Sequence, residues 1–288
     1  MKVALISSNK WKNRCRGDLS LLKNLLQNDI EAEIVSWQEE LEWANYDLLI
    51  LRSPWDYYES YEDFCNWLIS LKKHNLHMAN GIDNILLNIN KKEQFNYLQS
   101  CEIPLVPYIC TDSYNELIDW YNINNYRKAV IKPVVSAGGY QTFLIQNRDE
   151  LLQKMMLITN TKNQIILQPY VEDIVKGELS LVYFHGKFSH AVLRYPGVIE
   201  KYEKSHILDK VEKEWLLAAE KICECLHAED LLYVRIDLVR FHNEISIMEV
   251  ELSEPDLYLG FESESARMKR FIKEIEEELH LANEGDFL

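Results

Sequence analysis

The stretch Leu231–Glu251, LLYVRIDLVRFHNEISIMEVE, decides the fold. Two apolar runs, Leu231 to Phe241 and Glu244 to Glu251, flank His242-Asn243. Such runs about a two-residue turn predict an antiparallel hairpin. Side chains repeat every two residues along a strand. Arg235 and Asp237 therefore share a face of the first strand, and Glu249 and Glu251 share a face of the second. Paired across the ladder, Asp237, Glu249 and Glu251 could converge, and three carboxylates on one sheet face repel one another. A hard divalent cation relieves that repulsion, and Mg²⁺ takes such oxygen ligands together with phosphate. A solvated acidic face is the plainer alternative. The flanking Leu231, Val234, Ile236, Leu238, Ile245 and Ile247 place the hairpin in the core and favour the metal.

Two more hairpins precede it. Ala129 to Val135 and Thr142 to Ile145 flank Gly138-Gly139, and Glu178 to Phe184 and Phe188 to Leu193 flank Gly186-Lys187. Lys132 sits within the apolar AVIKPVV, where a charge is costly unless an anion meets it. The Gly turn beside it can offer backbone N–H groups to phosphate oxygens. The plainer alternative is an edge strand whose Lys reaches outward. Gln164 to Gln168 is a further strand. Ile166 to Val171 could back a flat heteroaromatic ring, with Glu178 one short loop away for ribose hydroxyls; a strand and a loop would look the same.

Towards the N-terminus the pattern changes. Val3 to Ile6, Ala32 to Trp37 and Tyr46 to Leu51 read as strands. Asp18 to Gln27 and Ser60 to Lys73 carry helix spacing, with Asp18 a plausible N-cap and Ser60 and Asp63 a capping arrangement. Alternation of this kind predicts a parallel sheet with helices on its faces. Ligands in such sheets bind beyond the carboxyl ends of strands, which is where LRSPWDYY (Leu51–Tyr58) lies. Asn90 to Ser100 is a helix. Pro104 and Pro107 then predict an extended connector and a change of domain. Further helices are expected over Glu150 to Leu157, Lys210 to Leu226 and about Glu262 to His280. The fold class is α/β (α+β), in three units: 1–88, 89–170 and 171–288.

A hydrophobic fraction of 47% over 288 residues suffices for a large core, and the formal charge of −15 argues against a nucleic-acid or anionic-membrane surface. An anionic ligand would need a locally basic pocket. No apolar run is long enough to span a bilayer. The six Cys show no CxxC pair, which reads as reduced thiols in a cytoplasmic protein. No GxxxxGK[ST], GxGxxG, GxSxG or HExxH pattern competes.

Taken in order, Lys92 on a helix, IKPVVSAGGY, ILQPYV, Gly177-Glu178 and VRIDLV…IMEVELSEP resemble the ATP-grasp superfamily. With LRSPWDY and LSLVYFHGKFSHAVLR, the resemblance is closest to the group holding the cyclo-ligase of D-cycloserine biosynthesis, related to glutathione synthetases and RimK-type ligases. It implies an N-terminal Rossmann-like domain, a small lid and a C-terminal antiparallel-sheet domain. It implies that Lys92 and Lys132 hold ATP phosphates, with Lys91 a neighbour able to take the first role. Ser136, Gly138 and Gly139 would close over the phosphates. Gln168, Tyr170 and Val171 would frame adenine, and Glu178 the ribose. Asp237, Glu249 and Glu251 would bind Mg²⁺, or Mn²⁺ in its place; many members have Asn where this chain has Glu251. Arg194, Arg235 and Lys132 would stabilise the transferring phosphoryl group. The N-terminal sheet would face a small amino-acid-like substrate, with Arg52 on its carboxylate, Ser53 adding a hydrogen bond, Asp56 on its amine and Tyr57 alongside. The implied activity is ADP-forming carboxylate–amine ligation, with a homodimer a frequent assembly. A ligase acting on a peptide or protein, and a nucleotide-binding protein without turnover, stay open as alternatives.

Overall fold

The computed structural model describes residues 1–158, 164–195, 204–260 and 265–285. Strands β1 (Lys2–Ser7), β2 (Glu31–Ser36) and β3 (Leu48–Ser53) form a parallel sheet in the order β2-β1-β3. Helices α1 (Arg16–Gln27), α2 (Tyr61–Lys73) and α3 (Ile82–Asn88) complete this region. The strands are buried on both faces, which is why β3 begins as an unbroken apolar run. Leu5 packs with Leu21 and Leu25 in one core cluster; Ile6 packs with Phe64 and Leu68 in another. Two capping expectations differ from what is found. α1 begins at Arg16 after Cys15, so Asp18 lies inside the first turn, and Ser60 precedes α2 without a side-chain cap bond.

Helix α4 (Lys91–Ser100) starts where Asn90 Oδ1 accepts from the N–H groups of Lys92 and Glu93. The proline-bearing connector then runs beside the last hairpin: Ile247 N–H donates to Pro104 O at 3.0 Å, and Val106 N–H to Ile247 O at 3.3 Å. A small antiparallel sheet follows, built from β4 (Ile109–Thr111), β5 (Ala129–Pro133), β6 (Phe143–Ile145) and β7 (Ile165–Pro169) in the order β4-β7-β5-β6. Helices α5 (Tyr114–Asn124) and α6 (Arg148–Met155) pack on it. The expected β5–β6 hairpin forms, but around the open loop 134–142 rather than a tight Gly-Gly turn.

The largest sheet has the order β10-β9-β8-β11-β12: β8 (Glu178–Phe184), β9 (Lys187–Tyr195), β10 (Lys204–Leu208), β11 (Val234–Phe241) and β12 (Glu244–Glu251). His242 and Asn243, at φ 48° and 67°, make the two-residue turn that the sequence predicted. The β8–β9 turn falls at His185-Gly186, one residue earlier than expected. Helix α7 (Lys213–Leu226) packs on one face, while α8 (Ala266–Gly285) joins the core it shares with the parallel sheet. The expected start of α8 near Glu262 lies outside the described residues.

Asparagines hold the units together. Asn80 Nδ2 donates to Tyr233 O and Leu252 O, while Asn88 Nδ2 donates to Val250 O. Asn88 Oδ1 accepts from the N–H groups of Leu252 and Ser253. These bonds bring the carboxyl end of the parallel sheet against the end of β12. The expectation of reduced thiols is overturned at one pair: Cys101, after α4, is bonded to Cys225 near the end of α7. Cys15, Cys65, Cys110 and Cys223 are not in disulfides. Among the described residues no helix is long and apolar enough to cross a membrane.

Candidate active site

A cleft of about 1050 Å³ opens between the three sheets. Its floor is one face of the large sheet. Antiparallel register sets Asp237 opposite Glu249 and Arg235 opposite Glu251 on β11–β12; on β8 it sets Ser180 opposite Asp237. Arg194 of β9 lies opposite Glu178. Two guanidinium groups knit this face together. Arg194 Nη2 donates to Glu178 Oε2 at 2.7 Å and to Asp237 Oδ2 at 2.6 Å, and its Nε donates to Ser180 Oγ at 2.7 Å. Arg235 Nη2 donates to Asp237 Oδ2 at 2.9 Å and to Glu251 Oε1 at 2.5 Å. Ser180 Oγ donates to Asp237 Oδ1 at 2.6 Å. The carboxylates the sequence set on one face are thus interleaved with cations.

Burial and charge then compete at each carboxylate. Burial pushes Glu178 up to about 7 against the pull of Arg194, and Glu251 up to about 8 against Arg235. At Asp237, burial is outweighed by Arg194 and Arg235, which hold it below the usual carboxylate range. Glu249 behaves likewise, with Lys91 and Lys132 overcoming its burial.

The opposite wall supplies those two lysines. Lys91 Nζ donates to Ser136 O at 2.8 Å and lies 3.1 Å from Glu249 Oε1. Lys132 is buried, and burial lowers it although Glu249 pulls the other way. Between them the loop 134–142 turns through Gly138 at φ 58° and Gly139 at φ 72°. A Cβ at either glycine would meet nothing within 4 Å, so backbone conformation, not crowding, explains the glycines. Tyr140 of this loop stacks on Tyr58 at 4.2 Å, bridging the cleft to the parallel sheet's edge. Gln168, Tyr170 and Val171 line the apolar end with Val106, Val130 and Met248.

Most predicted residues meet here. Lys132, Ser136, Gly138 and Gly139 line the cleft, as do Gln168, Tyr170, Val171 and Glu178. Arg194, Arg235, Glu249 and Glu251 complete that face, while Asp237 lies fully buried beneath the two arginines. Tyr57 reaches the cleft as well.

Besides the covered Asp237, four predicted residues do not line it. Lys92 is turned away, because α4 buries the stripe Lys91, Gln94, Phe95 and Leu98, which leaves Lys91 as the cleft lysine. Arg52 is buried and directed at Asp18, its Nε 3.4 Å from Oδ1. Ser53 Oγ donates to Asp18 Oδ2 and shares a hydrogen bond with Ser7 Oγ. Asp56 is buried beside them, its Oδ1 without a partner. Arg52 and Ser53 thus lie in a buried cluster with Asp18 and Ser7 at the end of β3, outside the cleft lining. What the segment after β3 presents to the cleft is aromatic: Trp55, Tyr57 and Tyr58. The reading of the sequence missed Ser180, although it lies two residues from Glu178 on the same face. It also missed Trp11, Tyr140 and Glu254 as cleft residues.

A charge-lined cleft under a glycine loop, on this arrangement of three sheets, defines an ATP-grasp enzyme. The profile of the prokaryotic glutathione synthetase ATP-grasp domain matches residues 105–256, more than half of the chain, and the chain belongs to that family. It is an ADP-forming carboxylate–amine ligase. The profile of the N-terminal domain of D-cycloserine synthetase DcsG matches residues 3–80. The crystal structure of D-cycloserine synthetase DcsG superposes with a TM-score of 0.84 at 22% identity, over 97% of this chain and 100% of that one. D-alanine–D-alanine ligase from Bacillus anthracis complexed with ATP gives 0.71 at 14% identity, over 99% of each chain. A RimK domain ATP-grasp protein from Sphaerobacter thermophilus gives 0.71 at 13%, over 94% of this chain and 98% of that one. At these identities the likeness is one of fold. No curated protein sequence matches the chain.

Proposed function

We propose that this chain uses ATP and Mg²⁺ to activate the carboxylate of a small amino-acid-like substrate and joins it to a nitrogen. The observation that carries this reading is the pairing across one cleft of two lysines, Lys91 and Lys132, with the face formed by Arg194, Arg235, Asp237, Glu249 and Glu251. The overall charge of −15 required local positive charge for any anionic ligand; these four cations supply it, offset by the carboxylates beside them, and a bound Mg²⁺ would add to it.

The donor set suits Mg²⁺. Among the described residues no three His, Cys, Asp or Glu side chains gather closely enough to hold a metal ion by themselves. Mg²⁺ is ordinarily held by one or two carboxylates together with phosphate oxygens, so an all-protein cage is not what it needs. Glu249 and Glu251, with Asp237 beneath, would hold it. When bound, it would neutralise charge on the phosphate oxygens.

The protein's own groups do the rest. Lys91 and Lys132 bind the phosphates of ATP, and the loop at Gly138 and Gly139 covers them with backbone N–H groups. Val130, Met248, Gln168 and Tyr170 enclose the base, and Glu178 accepts from the ribose hydroxyls. The substrate carboxylate attacks the γ-phosphorus in line; its bond to the β,γ-bridging oxygen breaks, and ADP departs. Arg194 and Arg235 stabilise the charge that spreads over the transferring oxygens. The nitrogen then attacks the acyl phosphate, loses a proton and expels phosphate. Loop 134–142, held by the Tyr58–Tyr140 stack, keeps water from the acyl phosphate.

The cleft volume is that of a small-molecule site, which favours a free amino-acid-like substrate over a folded protein. ADP release measured against amino acids, dipeptides and peptides tests this. Release with a small compound is expected; release only with a peptide would replace it with a peptide ligase, and nucleotide binding without release under any condition would overturn it.

A further inference from the structure

We propose that the end of the cleft bounded by Trp11, Trp55 and Glu254 is a subsite for a positively charged nitrogen of the substrate, an ammonium or guanidinium group, a claim that rests on the ligase reading above. The indoles of Trp11 and Trp55 meet edge to face, with centroids 5.3 Å apart and planes at 73°, so they form a corner of two π systems. Cations bind over the faces of such rings, and tryptophan is the strongest of them.

Glu254 stands at the same place. Trp55 Nε1 donates to Glu254 O at 3.1 Å, which fixes the indole to the segment after β12. Tyr233 Oη reinforces the junction, donating to Leu51 O at 3.1 Å and Ser253 O at 2.8 Å. Glu254 lines the cleft, is only 8% exposed, and its Oε2 has no hydrogen-bond partner in the protein. A buried carboxylate oxygen left unmatched is costly, and a cationic N–H donor is its natural complement.

The protein's own cations near this end are already engaged. Lys91, whose charge acts on Glu254, lies 3.1 Å from Glu249 Oε1 and donates to Ser136 O. Lys10 Nζ is bonded to Glu59 Oε1 at 2.8 Å. Arg235 is paired with Asp237 and Glu251. Arg52 is turned to Asp18. What faces the substrate end is therefore aromatic and anionic.

The test uses the full chain with Mg²⁺ and the ATP analogue AMPPNP. AMPPNP binding is measured first by calorimetry; no binding would refute the ligase reading itself. Saturation-transfer NMR then compares pairs that differ in charge alone: serine with glycerate, β-alanine with 3-hydroxypropionate, and 4-guanidinobutyrate with 4-ureidobutyrate. The member bearing the ammonium or guanidinium should bind at least about 10-fold more tightly than its hydroxyl or urea counterpart. Glu254→Gln should bring the two within about 2-fold without changing AMPPNP affinity, and Trp55→Leu should weaken the ammonium or guanidinium member alone. Equal binding of the two members to the unmodified chain, with AMPPNP bound, would overturn the proposal. So would full discrimination retained in both variants.

Discussion

The molecule holds two buried arginine–carboxylate clusters, one on the large sheet and one at the end of the parallel sheet, and they are built differently. On the large sheet, Arg194 and Arg235 reach Glu178, Asp237 and Glu251 through bonds of 2.5–2.9 Å, with Ser180 closing the network. At the end of the parallel sheet, Arg52 and Asp18 meet at 3.4 Å, and Arg52 Nε, Arg52 Nη1 and Asp18 Oδ1 have no hydrogen-bond partners. The first cluster is fixed by strand register, the second by where α1 begins and β3 ends. The contrast teaches that a charge network can serve either to present charge to a cleft or to hold a wall in place. Line of sight to the ligand separates the two uses.

The sharpest way to break this contrast is to remove one acid from each cluster. Asp237→Asn should lower ADP release by about 10³-fold while circular dichroism stays unchanged, because it removes preorganised charge under both arginines. Full turnover would sink the assignment of this face. Asp18→Asn should act on stability instead, costing about 3–5 kcal/mol in urea unfolding, because it leaves Arg52 buried and unpaired. Asp18→Asn that unfolds normally but raises the KM for substrate would move Arg52 back to the ligand.

A third prediction concerns the large sheet away from the cleft. His190, on the same sheet face as Arg194 but opposite Val182, is buried with Nε2 2.8 Å from Leu257 O, and burial lowers it to about 4. The unfolded chain therefore binds a proton that the folded chain refuses between about pH 6.5 and 4. Stability from this residue is present above pH 6.5 and lost as pH falls to 4, by about 3 kcal/mol. Urea titrations should show that His190→Gln flattens this part of the pH profile; an unchanged slope would count against a neutral buried imidazole. The smallest effects concern α4. Lys91→Met should weaken AMPPNP binding by at least about 10-fold, as loss of a phosphate-facing charge does, whereas Lys92→Met should stay within about 2-fold. The reverse order would show that helix phase was misassigned.

Legibility followed the same division. The faces of β8, β11 and β12 could be read because a two-residue period fixes which side chains share a side, and Arg235, Asp237, Glu249 and Glu251 fall where that period puts them. The phase of α4 was also readable in principle. Phe95 and Leu98 lie four and seven residues past Lys91, and Asn90 caps the helix, so the buried stripe passes through Lys91. The direction of Arg52 was not readable. It depends on Asp18, which is far away in sequence and belongs to the first turn of α1 rather than to its cap. β4 and α5 escaped notice because one is only three residues long and in the other, YNELIDWYNIN, the exposed Ile123 lies opposite the buried stripe of Leu117, Ile118 and Tyr121 and blurs it. The pairing of Cys101 with Cys225 follows from two helix ends meeting in space, which spacing alone does not reveal.

That bond has a consequence for the connectivity of the chain. It joins residues 124 apart and closes a covalent ring that contains the whole small sheet, β8 to β10 and nearly all of α7. The glycine loop and the adenine-facing strand lie inside the ring; Lys91 and the aromatic wall of β3 lie outside it. A single proteolytic cut anywhere in the ring leaves one species on a non-reducing gel and two on a reducing one. A cut before Cys101 separates the fragments under both conditions.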